Sequence, residues 1–269
     1  MTERSWWQVL QPEIQKKRKT LIILVSGLLM MVLFCYLGDP RIFDSFFTVS
    51  KTITTQGLTV YSSADCVYNG DAYAYDLYRI LYMFAVMVMC FFIIPIGIIV
   101  FVLKESPVQY GLRLPQRWKS LILVIAVLPI IAMSMYYTAM HNETIRKIYP
   151  YSKYILHHTG FVLIVYFIGY TAYYIAWEFF FRGYIQCGTE ASVGVPIAIM
   201  LQVIPSSLIH LGNPVGMPKT FSETAMAIVV GIVWGIITWR SRSILFALIM
   251  HASIGILLDG YIIFHAGGV

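Results

Sequence analysis

The sequence predicts an all-α fold, a polytopic transmembrane helix bundle of about seven spans with a cytoplasmic N-terminus. Three observations predict it. Of 269 residues, 59% are hydrophobic and only 12% are charged, about half the charged share of a soluble domain. The apolar residues gather into runs of the length a bilayer-crossing helix needs, about 20 residues. The basic residues are distributed unevenly between the segments that join those runs. The same composition excludes a soluble globule and a disordered chain.

The runs are Leu21 to Gly38, Ile80 to Leu103, Ser120 to Met140 and Thr159 to Trp177, followed by the shorter Val193 to Ile209, Thr224 to Trp239 and Ser243 to Leu258. The first is too long for a cleaved leader and is read as an uncleaved anchor. With the N-terminus inside, segments 1-20, 104-120, 182-195 and 240-243 carry 12 Lys/Arg, against 7 in the longer outer set 39-79, 141-158 and 211-223. Lys16, Lys17, Arg18 and Lys19 abut the first span as an anchor and are placed to meet anionic lipid. The chain divides into an N-terminal two-span region, 1-103, with an outer loop at 39-79, and a core, 104-269.

Pro95 and Pro129 fall inside spans, where kinks are expected. Ala227, Gly231 and Gly235 recur every four residues, giving the sixth helix a small face that another backbone can approach; packing alone explains it. Cys35 and Cys90 lie in apolar runs and Cys66 and Cys187 are isolated, so no disulfide framework and no cysteine metal site is expected.

Ionisable residues at membrane depth are costly and mark function by default. Glu178 and Arg182, four apart, share one helix face and can neutralise each other, which by itself describes a structural ion pair. His210 closes the fifth run, and His251 lies early in the seventh with Asp259 two turns further along the same face. A Glu that accepts a proton and a His that orients water are the minimum parts for attack on an amide, and a second His can donate to the oxyanion. Glu223, after Ser222 as an N-cap, is a further candidate whose simpler role is to stabilise the start of the sixth helix. No soluble-enzyme signature, such as HExxH, GxSxG or a phosphate-binding loop, is present.

The ordered set Trp177-Glu-Phe-Phe-Phe-Arg-Gly183, His210-Leu-Gly-Asn-Pro214, Ser222-Glu-Thr224 leading to Gly231 and Gly235, Arg240-Ser-Arg-Ser-Ile244 and His251 resembles the CPBP family. That family comprises the type II CAAX prenyl proteases and bacteriocin-processing enzymes, also called the ABI family. The segment Glu105 to Arg113 is similar to a stretch that precedes the family's core. The resemblance implies a membrane endopeptidase in a prokaryotic plasma membrane, acting on membrane-associated or prenylated proteins or peptides, with the bilayer as its other partner and no nucleic acid.

The family's usual base, the leading Glu, falls at Trp177, so Glu178 is expected to take that role by a route that needs no metal, with Glu223 assisting, His210 orienting water, His251 polarising the carbonyl and Arg182 holding Glu178. No cofactor is obligate on this reading; a Glu/His/His set is also a donor set for a divalent cation such as zinc. The chain departs from the family pattern at three motif positions: Trp177 replaces the leading Glu of EExxxR, Ser206 replaces the Phe of FxxxH, and Gly255 replaces the Asn of HxxxN. Those departures support an alternative, a catalytically inactive relative that binds membrane peptides or proteins in an immunity or chaperone-like role. A small transporter is weaker, because the two halves show no internal repeat.

Overall fold

The structure, a computed structural model, describes residues 3–39, 42–43, 70–115, 119–156, 160–211 and 221–266. Most of the expected outer loop, Cys66 and Asn213 lie outside the described residues.

Among the described residues the architecture is all-helical. Helix α1 spans Glu3–Leu37. Helix α2 begins as Gly70–Val88 and continues through a π turn, Met89–Ile93, an α turn, Ile94–Gly97, and a second π turn, Ile98–Val102. Helix α3 is Lys119–His141 and the short α4 is Glu143–Ile148, capped by Asn142, whose Oδ1 accepts from the Ile145 N–H at 3.1 Å. Helix α5 is Phe161–Glu178, running on through a π-helical stretch, Phe179–Cys187, into Gly188–Val193. Helices α6 (Val195–Leu211), α7 (Phe221–Ser241) and α8 (Leu245–Ala266) complete the bundle.

Six of these helices are long and apolar enough to cross a membrane, and the seventh expected span, Val195–His210, is a shorter apolar helix. The fourth span does not end at Trp177 as its apolar run suggests. It extends from Phe161 to Val193, so Glu178 and Arg182 lie within it and segment 182-195 is mostly helix. Mutual neutralisation of that pair removes the charge that stopped the apolar run. The last span likewise runs past Leu258 to His265, enclosing Asp259, whose carboxylate accepts from the Tyr166 hydroxyl at 2.6 Å. Helix α7 is described from Phe221, so Ser222 lies in its first turn.

The two expected kinks resolve differently. Pro95 lacks an N–H, and the helix widens to π geometry on both sides of it, the Ile94 N–H reaching back to the Met89 carbonyl. Helix α3 passes through Pro129 without interruption.

Lipid and apolar side chains are equally apolar, so packing between helices holds such a bundle. Here the packing is largely aromatic. Phe91 of α2 stacks on Phe180 with ring centres 4.0 Å apart, Phe84 stacks on Tyr170 at 5.4 Å, and Phe34 of α1 meets Phe91 at 5.1 Å. A second core joins Val124 of α3 to Trp234 and Ile237 of α7 and to Phe246, Ala247 and Met250 of α8. Leu21, Val25, Phe101, Ile122, Ile125, Ile164, Ile168 and Val229 face outward, a belt of apolar surface that a lipid solvent accounts for.

Two buried amides tie the small face of α7 to its neighbours. Gln186 donates Nε2 to the Gly235 carbonyl at 2.8 Å, and Gln202 of α6 donates to the Gly231 carbonyl at 3.1 Å. A Cβ on Gly235 would come within 3.0 Å of Gln186 Oε1 and 3.1 Å of Gln202 Nε2. The four-residue spacing is therefore a packing face, as expected, with a hydrogen-bonding purpose added.

Candidate active site

Along α5, Tyr166, Tyr170, Tyr174, Glu178 and Arg182 follow at four-residue intervals and form one stripe. Opposite them on the antiparallel α8 stand Asp259, Gly255 and His251, also four apart. The stripes meet in register: Tyr166 donates to Asp259, the hydroxyls of Tyr170 and Tyr174 lie against Gly255, and Glu178 meets His251.

Glu178 is wholly buried. Its Oε1 accepts from Arg182 Nη1 at 3.2 Å and from His251 Nδ1 at 2.5 Å. Oε2 has no hydrogen-bond partner among the described residues. Arg182 is 2% exposed, and its guanidinium lies over the Trp234 ring, 5.5 Å from the ring centre. Arg182 sets a positive charge directly beside this buried carboxylate. His251 retains 18% of its side-chain exposure and contacts three aromatic rings, Trp234 at 4.7 Å, Tyr174 at 4.8 Å and Trp177 at 6.2 Å between centres. The carboxylate at Nδ1 selects the tautomer or protonation state carrying a proton on that nitrogen.

His210 closes α6 and donates Nδ1–H to the Ser206 carbonyl at 2.7 Å, so in the neutral ring Nε2 is the basic nitrogen. Its ring meets the edge of Trp177 at 5.7 Å. Trp177 is thus in near-perpendicular contact with both histidines and forms an aromatic wall of the site.

Glu223 is half-buried in the first turn of α7, eleven residues before Trp234, or about 16 Å of helix rise. Burial pushes the Tyr149 phenol above its ordinary range, opposed by its hydrogen bond with Tyr151, and the charges of Asp259 and Glu223 add to the rise. The structure therefore gathers Glu178, Arg182 and His251 in direct contact and reaches His210 through Trp177.

Zinc needs about four ligands at about 2 Å with open donor atoms. Glu178 and His251 instead face each other directly, and His210 turns Nδ1 to a carbonyl. Among the described residues no three His, Cys, Asp or Glu side chains gather as a metal-holding set. Among the described residues this donor arrangement does not fit a metal.

Tyr174 and Trp234, which wall His251, and the buried amides of Gln186 and Gln202 were not singled out in the sequence. The four-residue spacing of Tyr174 from Glu178 was the available signal for the first. Trp234 carries no local mark, because its role depends on where α7 meets α8.

Residues 159–257 match a protein family described as type II CAAX prenyl endopeptidase Rce1-like. The match covers α5 to most of α8, including Glu178, Arg182, His210, Glu223 and His251. No curated protein and no solved structure matches the chain.

Proposed function

We propose that this multi-pass membrane protein is an intramembrane endopeptidase in which Glu178 activates water and His251 orients the carboxylate and serves the developing oxyanion. The observation that carries the reading is the pair itself. Two ionisable groups 73 positions apart in sequence meet at 2.5 Å inside an apolar bundle, and the second carboxylate oxygen is left unpartnered. The family match supports CAAX-protease-like chemistry.

In this mechanism Oε2 of Glu178 takes a proton from a water molecule, whose oxygen attacks the carbonyl carbon of the scissile amide. Arg182 holds the carboxylate in place through their ion pair. His251, protonated against Glu178, donates its other N–H to the oxyanion, and His210 offers Nε2 to position the water. Glu178 then passes its proton to the amide nitrogen, the C–N bond breaks, and an amine and a carboxylic acid are released. The substrate is a membrane-associated or prenylated chain, in the plasma membrane of a prokaryote if the likeness to bacteriocin-processing enzymes extends to location.

The test is cleavage of prenylated and membrane-inserted reporter peptides by the reconstituted chain. Glu178→Gln is expected to lower the rate by about 10²- to 10⁴-fold, the range for general acid–base groups. Undiminished cleavage by Glu178→Gln overturns the assignment.

A second reading, an inactive relative that binds membrane peptides, is favoured by Trp177, whose ring fills the contact zone of both histidines. It predicts peptide binding by wild type and Glu178→Gln alike, with no cleavage by either.

A further inference from the structure

One end of the bundle carries more positive charge than its own carboxylates can use. Lys19 pairs with Glu105 at 2.7 Å, and the Tyr110 hydroxyl donates to the same Glu105 oxygen at 2.7 Å. Glu190 is held by Arg242 at 2.9 Å and Glu13 by Lys16 at 2.7 Å. Each of these three carboxylates already has a cation. Lys17, Arg18, Lys104 and Arg240 are exposed and make no ion pair among the described residues.

The end is a single structural unit. The Ile244 N–H donates to the Gly111 carbonyl at 3.2 Å, Arg113 Nε to the Arg242 carbonyl at 2.7 Å, and Ser243 Oγ to the Arg113 carbonyl at 2.5 Å. The segment after α2 is thereby locked to the turn between α7 and α8, while Lys19 ties α1 to Glu105. The cations stand where the lipid-facing belt stops, directly after exposed Phe101 and Val102 on α2 and just before Leu21 and Val25 on α1. Long basic side chains at such a border extend their charge to the headgroup layer.

A second observation is independent of charge counting. Among the described residues, the non-glycine residues with left-handed backbone are Lys104, at φ 57°, and Arg242, at φ 55°. That conformation favours glycine and is uncommon for longer side chains. Both strained positions carry a basic side chain at this same end. Arg242 uses its charge on Glu190; Lys104 has no ion-pair partner among the described residues.

We propose that this end binds the anionic headgroup of a phospholipid, with Lys17, Arg18 and Lys104 contacting its phosphate. The proposal does not depend on the protease reading, since none of these residues touches Glu178, His210 or His251.

The experiment presents the full-length chain, in neutral detergent, with mixed phosphatidylcholine and phosphatidylglycerol, and measures retained lipid by native mass spectrometry. Phosphatidylglycerol is expected to be enriched over phosphatidylcholine. Lys17→Gln, Arg18→Gln and Lys104→Gln are each expected to weaken its retention about five-fold. Lys104→Gly relaxes the backbone yet is expected to lose as much as Lys104→Gln, separating charge from conformation. Lys147→Gln, which removes a charge at the far end within α4, is expected to retain lipid as wild type does. Equal retention of both lipids, an equal loss in Lys147→Gln, or complete displacement by inorganic phosphate would each overturn the proposal.

Discussion

The hydroxyl of Tyr174 occupies the space that a side chain at position 255 would need. A Cβ built on Gly255 would lie 2.0 Å from it and 2.5 Å from the Tyr170 hydroxyl. Two phenol oxygens, 3.0 Å apart, thus fill the space beside Gly255. Gly255→Ala is expected to lower thermal stability by about 1–3 kcal/mol, the usual range for overpacking a tight core. Gly255→Asn is expected to cost more and not to raise activity. A melting temperature unchanged in Gly255→Ala would show that the tyrosines move aside.

Arg182 and Glu178 form a buried pair, and removing one partner of such a pair costs about 3–5 kcal/mol because the other charge is stranded. Arg182→Met is expected to destabilise by that order. Glu178→Gln combined with Arg182→Met is expected to recover much of the loss, since no isolated charge then remains. Additive losses in denaturant titrations of the two single variants and the double variant would refute the coupling.

Trp177→Glu restores the family's leading carboxylate beside both histidines. If the catalytic assignment is right, peptide cleavage rises by about tenfold or more, as a second base becomes available, while stability falls from the added charge next to Glu178. Reporter cleavage and melting are read on the same preparation. A variant that is folded and no faster would favour the binding reading.

The Tyr110 phenol, outside the spans, is raised above its ordinary value first by burial and then by its hydrogen bond to Glu105. A raised folded value contributes stability that is complete below the unfolded phenol value of about 10 and is lost as pH climbs through the folded one. Alkaline melts of wild type are expected to decline above that point, and Tyr110→Phe is expected to decline less steeply. Parallel curves would exclude a contribution from Tyr110.

Much of the site was legible in the chain. The spacing of Glu178 and Arg182 put them on one face, and the 3.2 Å contact follows from that spacing. The histidines stood out because ionisable groups are costly in an apolar run. Glu223 stood out for the same reason and lies in the first turn of α7; the sequence has no scale for where two helices align. The boundary at Trp177 was misread because hydropathy counts each charge alone, whereas a neutralised pair can remain inside a helix.

By itself the sequence determined the solvent, through scarcity of charge, and the helices, through runs that satisfy their own backbone hydrogen bonds where no water can. It also determined the neighbours within each helix, since periodicity is a local property. Only the tertiary structure decided that Glu178 meets His251, that Trp177 touches both histidines, and that Tyr174 takes the place left by Gly255. Those contacts join separate helices, and their register is set by which small residues let two backbones approach and which aromatic rings fill the space between them.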